Sequence, residues 1–122
     1  MSGLLRKSLE TPEEVRPFEA GMGHLALVDM DGASVGRATF EPGWRWSEHV
    51  KPIAGTDSCQ SAHFGYCLSG RITVRMDDGD EQEFGPGDAM TIAPGHDAWV
   101  VGDEPCVVLD WQGYTDYAKR SG

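Results

Sequence analysis

The chain has 122 residues, with 20 acidic against 10 basic and a formal net charge of -10. That length fits one domain able to bury roughly two-thirds of its unfolded surface, while the acidity removes the phosphate attraction on which nucleic-acid binding depends. No apolar run approaches a membrane span, and Leu4 and Leu5 are soon followed by charges, so a soluble, unexported, cytoplasmic protein is expected, with no nucleic-acid or membrane partner.

In chain order, Thr11-Pro12-Glu13-Glu14 reads as a helix start, with Thr as N-cap and Pro at the first helical position; Pro17 stops it within a turn. Runs of strand length follow at Leu25 to Asp29, Ala33 to Phe40, Trp44 to Val50, His63 to Leu68, Arg71 to Met76, Glu81 to Phe84, Ala89 to Ala93, Trp99 to Val101 and Cys106 to Trp111. They are rich in aromatic and β-branched residues, several alternate, and turn pairs such as Asp31-Gly32, Ser69-Gly70 and Pro94-Gly95 separate them. The pattern predicts an all-β sandwich or barrel. Lys51 to Ala62 is the longest gap, and the tail from Gln112 is polar, a short helix or a frayed end. The resulting division is an N-terminal extension over 1–22, a β domain over 23–112 and a tail over 113–122.

His49, His63 and His96 stand on or beside these runs, and only His24 lies apart from them. Neutral imidazole is the commonest protein ligand for first-row transition metals, and three convergent rings leave coordination positions open for a substrate. Strand alternation puts Arg45 and Lys51 on the side of His49, Cys67 on the side of His63, and His96 on the side of Ala98. It turns Glu48, Trp44, Trp46 and Trp99 the other way, the tryptophans toward packing between sheets or subunits. Lys51 could hold a substrate carboxylate or be a solvated loop lysine. A buried Arg45 would need a carboxylate from the protein or a ligand.

Three cysteines, Cys59, Cys67 and Cys106, form an odd set without paired spacing, which speaks against a disulfide framework and against a thiolate zinc site. Met76-Asp77-Asp78-Gly79-Asp80-Glu81 reads as a solvated hairpin tip. No nucleophile with an adjacent base is visible, and Gly85-Pro86-Gly87-Asp88 is too short to cradle phosphates, which disfavours triad hydrolysis and nucleotide binding.

Pro42-Gly43, His49, His63-Phe64-Gly65-Tyr66-Cys67-Leu68-Ser69-Gly70, Gly85-Pro86-Gly87-Asp88 and Pro94-Gly95-His96 resemble the two signature motifs of the small single-domain cupins, over roughly Thr39 to Trp111. Against that pattern Gly43 opens the first motif, His49 holds the first histidine place, Lys51 the second, and His63 the glutamate place ahead of Gly70. In the second motif the usual histidine place falls on Ala98, with His96 two residues earlier.

The resemblance implies a cupin-type antiparallel β-barrel or jelly roll holding one divalent transition metal per chain, with iron, manganese, nickel, zinc and copper not distinguished. His49, His63 and His96 are the expected ligands, and Glu48 or Cys67 the next candidates. The implied function is a metal-dependent enzyme, dioxygenase- or isomerase-like, on a small organic molecule, with Lys51 or Arg45 orienting an anionic group. A non-catalytic pocket for sensing or storage is the alternative, and a homodimer is expected because edge strands and outward aromatic residues invite a two-fold partner.

Overall fold

The computed structural model describes residues 3–112 and 117–118. Among these residues nine strands form two antiparallel sheets: β1 (Glu14–Pro17), β2 (Gly23–Asp29), β3 (Ser34–Phe40), β4 (His63–Ser69), β5 (Arg71–Met76), β6 (Glu81–Phe84), β7 (Ala89–Ile92), β8 (His96–Val101) and β9 (Cys106–Asp110). The larger sheet runs β1-β2-β3-β9-β4-β7 and the smaller β6-β5-β8. Among the described residues no ladder joins one sheet to the other, so the jelly roll is an open one. No helix among them is long and apolar enough to cross a membrane.

Alternation selects the inner face. On β4 His63, Gly65 and Cys67 are buried while Phe64, Tyr66 and Leu68 are exposed; on β8 His96, Ala98 and Val100 are buried; on β9 Cys106, Val108 and Asp110. Leu25, Ala38, Phe40, Ile72, Val74 and Met90 complete the apolar middle. The alignment of β4 with β9 shifts between Cys67 and Ser69. Gly70 ends that irregularity at φ +72°, where a Cβ would strike the Pro105 carbonyl and the Cys106 backbone, so no larger residue fits.

The structure departs from the sequence expectations in four places. Trp44 to Val50 is not a strand: α1 (Trp46–His49) and α2 (Lys51–Ala54) follow one another, and Trp46, Val50 and Ile53 are all buried. Their intervals of four and three match one helical face, and burying that face overrides the β preference of the tryptophans. Thr11 to Glu14 starts no helix; Glu14 opens β1, which pairs with β2 through Glu14↔Leu27 to Pro17↔His24. The large sheet therefore begins inside the stretch expected as an extension, and Phe18 stacks on Phe40 with ring centroids 5.5 Å apart. Finally, part of the polar tail is core: Tyr117 and Ala118 are buried, and Arg16 Nη1 donates to the Tyr117 carbonyl at 2.8 Å. The rest of the expected tail after residue 112 lies outside the described residues.

Candidate metal centre and its cavity

His63 opens β4 and His96 opens β8, so both start strands on opposite sheets and face the shared interior. Their ring centroids are 5.3 Å apart. Cys59 joins them from the loop before β4 through an isolated antiparallel bridge with His96: Cys59 N–H donates to the His96 carbonyl at 2.7 Å, and Gly95 N–H donates to the Cys59 carbonyl at 2.7 Å. The loop is further tied by Ser58 Oγ donating to Asp77 Oδ2 at 2.8 Å, while Asp77 N–H donates to the Gly95 carbonyl at 2.9 Å. Asp77 on the hairpin tip is thus a brace for Cys59 rather than only a solvated turn residue.

One ligand-type atom from each of Cys59, His63 and His96 lies within 4.8 Å of the others. Cys59 Sγ is 3.7 Å from His63 Nε2. Two ligands about 2.0–2.3 Å from a tetrahedral ion lie roughly 3.3–3.8 Å from each other, so that pair already has a coordinating separation. Each imidazole has its other nitrogen anchored. His63 Nδ1 donates to Asp110 Oδ2 at 2.6 Å, and His96 Nδ1 donates to the Ala93 carbonyl at 2.8 Å. Both rings are left with Nε2 as the coordinating atom, the arrangement in which an outer carboxylate or carbonyl sets the tautomer and orients a metal-bound histidine.

Asp110 is 1% exposed, and its Oδ1 accepts from Gln112 N–H at 2.7 Å and Phe64 N–H at 3.4 Å. Its neighbours in register on either side are Gly36 and Gly65. A Cβ at Gly65 would run into the Leu109 carbonyl, so the strand beside Asp110 must stay bare.

The electrostatics couple thiol to imidazole. Burial alone would lower the His63 pKa, but the hydrogen bonds to Asp110 and Cys59 and their charges raise it to about 9. Burial alone would raise the Cys59 pKa, yet hydrogen bonds from His63 and His96, with their charge, bring it down to about 6. Each group thus shifts the other toward the thiolate–imidazolium form. Cys59, His63 and Asp110 therefore stand in line as thiol, imidazole and carboxylate, a juxtaposition that no local sequence pattern revealed. Cys67 and Cys106 differ: their sulfurs are 4.0 Å apart, and burial raises both thiol pKa values, leaving two inert core thiols.

The expected ligand set is thus only partly assembled. His63 and His96 converge, but His49 sits on α1 with Nδ1 accepting from Arg45 N–H at 3.0 Å and is not in the cluster. The alternation that grouped His49, Arg45 and Lys51 does not apply to a helical segment. Arg45 lies over the Trp99 ring at 4.5 Å and pairs with Asp97 at 3.5 Å, while Lys51 is 4.0 Å from Asp57; neither lines the cavity next to the histidines. Glu48 is exposed, and Cys67 packs against Cys106. Cys59, Asp110 and Tyr117 were missed. The even spacing of Cys59 before His63 was the one available signal for the first, and the aromatic ring in a polar tail for the last.

A cavity of about 40 Å³ adjoins the cluster. Its wall combines His63, His96 and Asp110 with Trp44, Met90 and Tyr117 among other apolar side chains. The Tyr117 ring, part of that wall, meets His63 edge-on at 5.5 Å and is backed by Phe18, just after β1, at 6.1 Å.

The sequence matches the Cupin domain family over residues 36–112. No curated protein matches it. Among solved structures, an uncharacterized conserved protein with a double-stranded β-helix domain from Klebsiella pneumoniae is 19% identical, with a TM-score of 0.56 over 93% of this chain and 90% of its own. A protein of unknown function from Vibrio parahaemolyticus is 13% identical, with a TM-score of 0.60 over 80% and 95%. Lactobacillus farciminis oxalate decarboxylase, in a formate complex, is 16% identical with a TM-score of 0.61; the match covers 94% of this chain but 34% of the enzyme. These likenesses concern the fold. The family match spans more than half of the chain and the strands that carry His63 and His96, and the protein belongs to the cupin domain family.

Proposed function

We propose that this cupin holds one divalent transition metal on Cys59, His63 and His96 and acts on a small organic molecule in the adjoining cavity. The observation that carries the reading is the anchoring of both imidazoles from behind, by Asp110 and by the Ala93 carbonyl, while their remaining nitrogens share a cluster with the Cys59 sulfur. One thiolate and two imidazoles suit zinc, copper or iron and poorly suit magnesium or calcium. A three-ligand set of this kind leaves a coordination position open, and the ion would supply Lewis acidity toward a bound oxygen atom. Around it His63 and Asp110 hold the ligand geometry, Cys59 lowers the net charge, and Phe40, Trp44 and Tyr117 exclude water.

Elemental analysis of untagged protein tests this. Near-stoichiometric zinc, copper or iron is expected, and a metal-free protein that takes up none of them on reconstitution would refute it. Turnover of a small substrate, with oxygen consumption if the reaction is a dioxygenation, would establish the enzymatic half of the reading. A non-catalytic binding or sensing role is the second reading. It is favoured by the engagement of His63, His96 and Asp110 in fixed hydrogen bonds, which commits both histidines and the carboxylate of the wall.

The same protein is proposed to be a homodimer in a reducing compartment such as the cytoplasm. Phe64, Tyr66, Leu68 and Trp111 are exposed large apolar side chains, three of them on the outer face of β4, and all three cysteines are free.

A further inference from the structure

Trp44 is 1% exposed, and its indole Nε1 is the one buried side-chain nitrogen or oxygen without a hydrogen-bond partner among the described residues. The same side chain lines the cavity. Buried donors are almost always satisfied. An indole N–H donates and never accepts, so whatever completes it carries an acceptor.

The remainder of the wall narrows the choice. Among the described residues neither lysine nor arginine lines the cavity, and Ile72, Val74 and Val108 offer only apolar contact. A divalent ion bound by the Cys59 thiolate, with the Asp110 carboxylate behind His63, brings the charge of the cluster and its outer carboxylate to zero. An anionic ligand would add an uncompensated charge in apolar surroundings, whereas a neutral one would not. Volume sets the size: the space is about 40 Å³, where one water needs roughly 10–15 Å³.

We propose that the cavity takes a small neutral carbonyl compound, an aldehyde, ketone or primary amide of about three to five heavy atoms, whose oxygen accepts from the Trp44 indole N–H. This deepens the proposed function by naming its ligand class, and it rests on the cavity being the ligand site.

The test uses the full chain labelled with nitrogen-15, in zinc-loaded and metal-free forms. The indole N–H signals of the four tryptophans are followed during titration with acetone, acetamide and acetate, and the Trp44 signal is assigned by its loss in Trp44→Phe. Acetone and acetamide should move the Trp44 proton downfield and saturably, and acetate should not. Trp44→Phe should bind the neutral probes about five- to tenfold more weakly, the effect of one lost hydrogen bond, with zinc content unchanged by mass spectrometry. Val74→Phe, which keeps the indole and fills the space, should abolish the shift and covers the case in which Trp44→Phe does not fold.

A Trp44 signal that no neutral carbonyl moves, that acetate moves instead, or that stays in contact with an undisplaced water overturns the proposal. Failure of the metal reading looks different: zinc would not be retained, while the carbonyl shift would still appear in the metal-free protein.

Discussion

His63 Nδ1 lies 2.6 Å from Asp110 Oδ2, a contact between the first residue of β4 and the last of β9. Because Asp110 accepts that proton, His63 presents Nε2, and not Nδ1, toward Cys59. The orientation of the histidine is therefore decided by a residue that is not itself a member of the cluster.

Asp110→Asn should keep the side chain's shape and weaken its hold on His63. Metal affinity is expected to fall about 10- to 100-fold, the usual cost of losing an outer carboxylate behind a metal-bound histidine. A competition titration with a chromophoric chelator measures it; unchanged affinity would show that Asp110 serves only the fold.

Cys59→Ser and His96→Ala should each lose most of the bound metal, whereas His49→Ala, Lys51→Ala and the control His24→Ala should retain it. Cobalt-loaded protein adds a direct check, since the sulfur-to-metal absorption should vanish with Cys59→Ser. Metal loss in His49→Ala with retention in Cys59→Ser would point back to an all-histidine site.

Stability of the metal-free protein should depend on pH in a defined way. The His63 pKa is raised to about 9, so its contribution is full below its ordinary value of 6.5 and is lost as pH climbs through 9. The Cys59 pKa is lowered to about 6, so its contribution is full above its ordinary value of 9 and is lost as pH falls through 6. Between about 6.5 and 9 the two slopes have opposite sign and cancel. Denaturant melts should give a plateau there, with stability falling toward pH 6. Cys59→Ser removes the rising limb together with the part of the His63 elevation owed to Cys59, so a shallower decline with pH, held by Asp110, should replace the plateau; an unchanged plateau would contradict the coupling.

Light scattering should return twice the mass of one 13.3 kDa chain. Phe64→Asp combined with Leu68→Asp places charge on the exposed face of β4 and should give the single-chain mass without changing metal content. A monomeric parent at micromolar concentration would end the dimer proposal.

The strands β2 through β9 were legible in the chain because alternation and turn chemistry are local. Ser69-Gly70 and Pro94-Gly95 mark ends, and His63, Cys67, His96 and Ala98 reach their inward positions by simple parity. The segment from Trp44 to Ile53 carried two competing signals. Its aromatic content favours a strand, but Trp46, Val50 and Ile53 share a helical face, and the core available to receive that face settled the contest.

By itself, then, the sequence determined an antiparallel β domain of the cupin kind with His63 and His96 facing inward. Only the tertiary structure brought Cys59 rather than His49 beside His63 and His96, set Asp110 behind His63, moved Arg45 and Lys51 off the cavity, and put Tyr117 in its wall. The reason is range. Parity along one strand is fixed within a few residues, whereas the pairing of Cys59 with His96 and of His63 with Asp110 depends on which strands lie side by side, and that is decided by burial of the whole core.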